Sequence, residues 1–151
     1  MTHVQEYLRD RTFADLAREH GVYATLSANR RKVLLSYDQI DAKESDPLAS
    51  QCRGLILARR DFAEIDALAP LGDTVVIARP FDRFFNHGQH GADAATLVGR
   101  HGTRVVEKLD GTLCILYFDD YQGAWHVATR SVPEANSPMS GAAGFAGAGV
   151  T

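Results

Sequence analysis

Thr103-Arg104-Val105-Val106-Glu107-Lys108-Leu109-Asp110-Gly111-Thr112-Leu113-Cys114-Ile115-Leu116-Tyr117-Phe118 runs through Asp119-Asp120-Tyr121-Gln122-Gly123 into Trp125-His126-Val127-Ala128-Thr129-Arg130. Three apolar runs, Thr103–Lys108, Thr112–Phe118 and Trp125–Arg130, are separated by two turn signals. Asp110-Gly111 is the dipeptide that two-residue hairpins favour, and Asp119–Gly123 is a longer polar turn. The spacing predicts three consecutive antiparallel strands.

Working upstream, the same texture recurs. Val22–Ser27 and Lys32–Tyr37 flank the polar turn Ala28-Asn29-Arg30-Arg31 and predict a hairpin. Arg30-Arg31-Lys32 is expected to be its solvated tip. Asp38–Ser50 is polar, contains Pro47 and reads as loop. Cys52–Ala58 and Thr74–Ala78 read as strands, the second stopped by Pro80. Ala92–Val98 reads as a short helix. The first twenty residues are helical in pattern, with Thr12 as an N-cap, Asp15 completing a capping box and Gly21 as the stop. The fold class predicted is therefore α+β, rich in antiparallel sheet, with an N-terminal helix. Ser140–Val150 is nearly all Gly and Ala, and no charged residue follows Glu134. A frayed tail over 140–151 is expected, because such a segment buries little and loses much backbone entropy. Residues 1–139 would form the domain.

The chain has 151 residues, of which 45% are apolar and 23% charged, and its net charge is −3. Such a chain makes one domain with a real core. It lacks the roughly 20-residue apolar run of a membrane span, and its start lacks the pattern of a signal peptide. Cys52 and Cys114 alone build no disulfide framework. The expectation is a cytoplasmic protein. His87, His90 and His101 have no carboxylate or cysteine at ligand spacing, so no metal site is assigned.

Only three lysines accompany thirteen arginines. One of them, Lys108, closes an apolar run beside Asp-Gly. A hairpin explains this pattern by itself. A nucleophilic lysine explains it too, because a strand end in an apolar groove can strip water from the ammonium and favour the neutral amine. Arg53 stands before a glycine in Ser50-Gln51-Cys52-Arg53-Gly54-Leu55-Ile56-Leu57, where a guanidinium suits a phosphate. Phe81, in Ala78-Arg79-Pro80-Phe81-Asp82-Arg83-Phe84-Phe85-Asn86, is expected in the core, while Phe85 could pack or stack.

These two segments and Glu107–Thr112, in this order and spacing, resemble the phage RNA ligase 1 family of ATP-dependent covalent nucleotidyltransferases. The resemblance covers roughly residues 20 to 140. It implies a partial adenylyltransferase domain of the ATP-grasp-like ligase type, with ATP and Mg2+ as cofactors and RNA ends as partners. Lys108 would attack the α-phosphate, forming a lysyl-adenylate that passes AMP to a 5′-phosphate before a 3′-hydroxyl seals the strand. Glu107 would sit by the adenine, and Asp110 and Gly111 would shape the ribose side. Arg53 would reach the nucleotide or the RNA phosphate. Arg83 with Phe85 would line the triphosphate end, and Arg130 would face a phosphate. The family's downstream motifs do not follow, since no lysine comes after Lys108. The expectation is thus a truncated ligase. The alternatives are a non-catalytic binder of nucleotides or RNA ends, and one half of a split ligase completed by a partner chain.

Overall fold

Thr2 and Thr12 each open a short helix, α1 (His3–Tyr7) and α2 (Phe13–His20). Each threonine hydroxyl accepts the backbone N–H of the third residue on, and Gln5 or Asp15 reaches back to the threonine N–H. Two donors are satisfied at each helix start. The expected single helix breaks after Tyr7. The Leu8 carbonyl instead accepts Leu71 and Gly72 at 3.0 and 3.3 Å, which ties the amino end to a later loop. Gly21 ends α2 at φ 62°, and a Cβ there would lie 2.4 Å from the Ala42 nitrogen. Only glycine fits that turn.

The computed structural model describes residues 1–135, so the expected fraying of the Gly/Ala tail lies outside the described residues. β1 (Val22–Leu26), β2 (Lys32–Tyr37), β3 (Arg53–Arg59) and β4 (Thr74–Ala78) form one sheet in the order β1-β2-β3-β4, each pair antiparallel. β5 (Cys114–Asp119) and β6 (Ala124–Thr129) form a separate hairpin. The Asp119–Gly123 turn closes it, Gly123 donating to the Asp119 carbonyl at 2.7 Å.

β2 and β3 are near-continuous apolar runs because both of their faces are covered. Val33, Leu35, Leu55 and Leu57 pack against Val4, Leu8 and Leu16 of the helical layer. The alternate residues Leu34 and Ile56 pack against Ile115, Tyr117 and Ala128 of the hairpin. The result is three layers, with the four-stranded sheet in the middle. Each fully buried leucine or isoleucine contributes about 1.5–3 kcal/mol.

Lys32 corrects the expected solvated tip. It lies on the same side of β2 as Leu34, is only 2% exposed, and reaches Asp119 at 2.6 Å and Glu134 at 3.1 Å. Its register on β2 turns it toward the hairpin, whereas the neighbouring Arg31 carries the local polarity at the rim. Arg31 stacks over Tyr121 at 4.8 Å.

Three further expectations are corrected. Asp38–Ser50 is not all loop, because α3 (Pro47–Gln51) starts there, with Asp46 accepting the N–H groups of Leu48 and Ala49. The helix expected at Ala92–Val98 is a 3-10 turn, Ala94–Thr96. Thr103–Lys108 forms no strand, and Asp110-Gly111 closes no hairpin. Val105 and Val106 are adjacent and both exposed, so a strand there would need cover on two faces. The described residues give it none.

The hairpin meets the central sheet at Gly54. Its φ is 94°, and a Cβ there would approach Ile115 Cδ1 at 2.6 Å and the Arg130 Cα at 3.4 Å. Gly54→Ala is therefore expected to cost about 1–3 kcal/mol in urea unfolding, mainly from backbone strain. A wild-type midpoint would show that the seam can give way. The outer face of the hairpin, with Leu116, Phe118 and Trp125, remains exposed.

Candidate functional site

Arg53 opens β3 directly after the end of α3, and its guanidinium lies against a pair of aromatic rings that touch each other. Its guanidinium carbon lies 4.6 Å from the Phe81 ring centre and 4.7 Å from that of Phe84. Pro80 ends β4 and releases the following residues from the sheet. The Arg83 N–H then anchors the segment by donating to the Ser50 carbonyl at 2.8 Å. Phe81 is not in the core as expected. It is half exposed, because its ring is spent on Arg53 and not on the apolar layers.

Facing these rings is the segment that carries Lys108. Arg53, Phe81 and Phe84 line one open cleft of about 700 Å3 together with residues 106–114. Glu107, Lys108, Asp110 and Gly111 are all on its wall. Lys108 is exposed, and its Nζ donates to Asp110 Oδ1 at 2.9 Å. That bond holds the Asp110 carboxyl below the usual carboxylate range.

Arg83 and Phe85 line a different cleft, of about 460 Å3, with Glu44, Ser50 and His90. The Arg83 guanidinium packs over Tyr37 at 4.8 Å and over Phe85 at 5.3 Å. Arg130, beyond the end of β6, packs over the same Tyr37 ring at 4.5 Å and donates to the Tyr37 carbonyl at 2.8 Å. The resemblance implies Arg83 and Phe85 at the triphosphate end, Arg53 on the nucleotide or the RNA phosphate, and Arg130 facing a phosphate. The structure keeps Arg53 with the Lys108 segment and puts Arg83 with Phe85 next door, with Tyr37 linking Arg83 to Arg130.

One feature unites the three arginines. Arg53 Nη1, Arg83 Nη1 and Arg130 Nε are buried and find no hydrogen-bond partner among the described residues. An unmet buried donor costs about 1–3 kcal/mol, more when charged. Guanidiniums held flat by aromatic rings with donors to spare suit oxyanions. No group of three or more His, Cys, Asp or Glu that could hold a metal occurs among the described residues. Sequence reasoning missed Tyr37, Glu44 and His90 as parts of the site. Tyr37 reads as the last residue of an apolar strand, His90 is weighed only as a metal ligand, and nothing local marks Glu44.

The chain is 28% identical over 137 residues to a protein of Autographa californica nuclear polyhedrosis virus described as a bifunctional polynucleotide kinase/RNA ligase. The match takes in 86% of this chain but only 18% of the viral protein. No family model matches the chain, and no solved structure matches it. The relationship is thus to an RNA ligase-type protein, and the chain spans less than a fifth of that relative. No helix among the described residues is long and apolar enough to cross a membrane.

Proposed function

We propose that this chain is the nucleotide-binding portion of an ATP-dependent RNA ligase, a partial adenylyltransferase domain of the ATP-grasp-like type. One observation carries the reading. Lys108 shares a cleft with Arg53, Phe81 and Phe84, residues remote in sequence that arrive there on β3 and on the segment after β4. Lys108 is the nucleophile. Its amine, once neutral, bonds to the α-phosphorus of ATP while the bond to the bridging oxygen breaks and pyrophosphate leaves. Arg53 balances charge on the phosphates. Glu107, Asp110 and Gly111 border the nucleoside. The adenylate then passes to an RNA 5′-phosphate. The expected Mg2+ would come with the nucleotide, since the cleft offers it no cage of carboxylates.

A second reading has its own observation. Lys108 stands in solvent with its ammonium on Asp110, which suits a module that binds nucleotides or RNA ends without sealing them. Incubating the chain with Mg2+ and ATP labelled at the α-phosphate separates the two. A denaturation-resistant adduct mapped to Lys108 supports the ligase. Retention of ATP with no adduct supports the binding module.

A further inference from the structure

Arg83 is built to stay where it is. Its side chain is 11% exposed, its guanidinium carbon lies over Tyr37 at 4.8 Å and Phe85 at 5.3 Å, and its backbone N–H is tied to Ser50. Hydrogen bonds are left to its nitrogens. Nη1 is buried without a partner among the described residues, while Nη2 donates to Glu44 Oε1 at 3.2 Å.

Glu44 is held much less firmly. It belongs to the polar loop between β2 and α3, and its side chain is half exposed. Its two carboxylate oxygens divide between two partners: Oε1 takes Arg83, and Oε2 meets His90 Nε2. The His90 ring in turn packs on Phe85 at 4.7 Å. A half-exposed carboxylate thus bridges an arginine and a histidine that both line a cleft of about 460 Å3. A terminal phosphate would make the same demand on those two donors.

We propose that Glu44 is an internal stand-in for a phosphate monoester, occupying the Arg83–His90 cleft until a terminal phosphate displaces it. The inference rests on the reading of the chain as a protein that acts on phosphate-bearing nucleotides or RNA ends. The phosphate has two possible sources, the γ-phosphate of ATP and the 5′-phosphate of RNA. Displacement leaves Arg83 in place, because Tyr37, Phe85 and the Ser50 carbonyl hold it without Glu44.

The test compares wild type, Glu44→Gln, Arg83→Ala and the double variant, each first checked for native far-UV circular dichroism. Binding is measured for ATP, for a 5′-phosphorylated oligoribonucleotide, and for the same oligonucleotide ending in a 5′-hydroxyl. Losing an exposed carboxylate–guanidinium pair should tighten the displacing ligand about two- to fivefold. Glu44→Gln should do so for the phosphorylated oligonucleotide, for ATP, or for both, which identifies the source, and leave the hydroxyl-ended one unchanged. Arg83→Ala should weaken the same ligand and cancel the gain in the double variant.

Unchanged or weaker binding by Glu44→Gln, with Arg83→Ala still harmful, overturns the stand-in while leaving the phosphate cleft intact. Equal tightening of the hydroxyl-ended oligonucleotide also overturns it, since mere charge removal then explains the gain. If no chain binds phosphate preferentially, both the stand-in and the phosphate reading of this cleft fall. The adduct at Lys108 is read separately and can survive either result.

Discussion

Asp119→Asn is expected to lower the free energy of unfolding by about 3 kcal/mol, the lower end of what breaking a buried ion pair costs. Lys32 Nζ sits 2.6 Å from Asp119 Oδ2, and both side chains are 3% exposed. The other oxygen, Oδ1, accepts the N–H groups of Tyr121 and Gln122 and so also shapes the β5–β6 turn. Asparagine can keep one acceptor there but removes the countercharge. Glu134, 3.1 Å from Lys32, softens the loss and keeps it from the upper end of the range. The pair spans the interface between the central sheet and the hairpin, so the hairpin should detach first. Urea unfolding at neutral pH is the measurement, and a loss under about 1 kcal/mol would mean that Glu134 alone suffices.

The pH dependence has a definite sign. Burial alone would push the Asp119 carboxyl up, but the Lys32 ammonium and the turn N–H groups outweigh it and hold it below its ordinary value. Its contribution is present above about pH 3.9 and is lost as pH falls through the depressed value. Burial would likewise push Lys32 down, but Asp119 and Glu134 prevail and raise it. That contribution is full below about pH 10.4 and is lost as pH rises through the raised value. Asp119→Asn should therefore flatten the stability profile on the acid side. An unchanged acid limb would remove Asp119 from the account.

Lys108→Ala is expected to reduce covalent nucleotide labelling at least about 1000-fold, with ATP binding changed only a few-fold, because a lost nucleophile removes the step and not the site. Lys108→Arg should be equally inactive, since a guanidinium stays protonated. No other lysine is placed to substitute. Lys32 is enclosed by Asp119, Glu134 and Tyr117, and Lys43 lies outside the residues that line the cleft. On the proposed reading, Arg53, Phe81 and Phe84 remain to hold the nucleotide. Labelling that persists in Lys108→Ala would move the chemistry elsewhere.

Much of the fold was legible because its cues are local. β2 and β4 fall at the expected residues, one an apolar run after a basic cluster and the other stopped by Pro80. The Thr12–Asp15 box and Gly21 mark α2 at both ends. What failed depends on distant neighbours. Val105-Val106 has strand composition, yet a strand exists only when another backbone pairs with it. Lys32 reads as surface because the carboxylates that neutralise it lie 87 residues or more downstream. α3 did leave a signal in Asp46-Pro47, an N-cap followed by the residue best suited to a first helical turn. In the candidate site, Lys108 near Asp110-Gly111 and Arg53 before Gly54 stood out as residue types, and the structure sets both on one cleft. The partition into two clefts was not legible, because it turns on which way neighbouring rings of one segment face, Phe81 and Phe84 toward Arg53 and Phe85 toward Arg83, and on Tyr37 from the distant β2.

Trp125 is the single tryptophan of the chain, and it stands on the open side of the hairpin, edge-on to Phe118 at 5.4 Å. The protein therefore carries its own optical label in an unusual place. Because the indole already meets water in the native state, its emission should change little when the chain unfolds, and the melts described above call for circular dichroism. A blue shift at constant secondary structure would report something else: that a surface had closed over the hairpin.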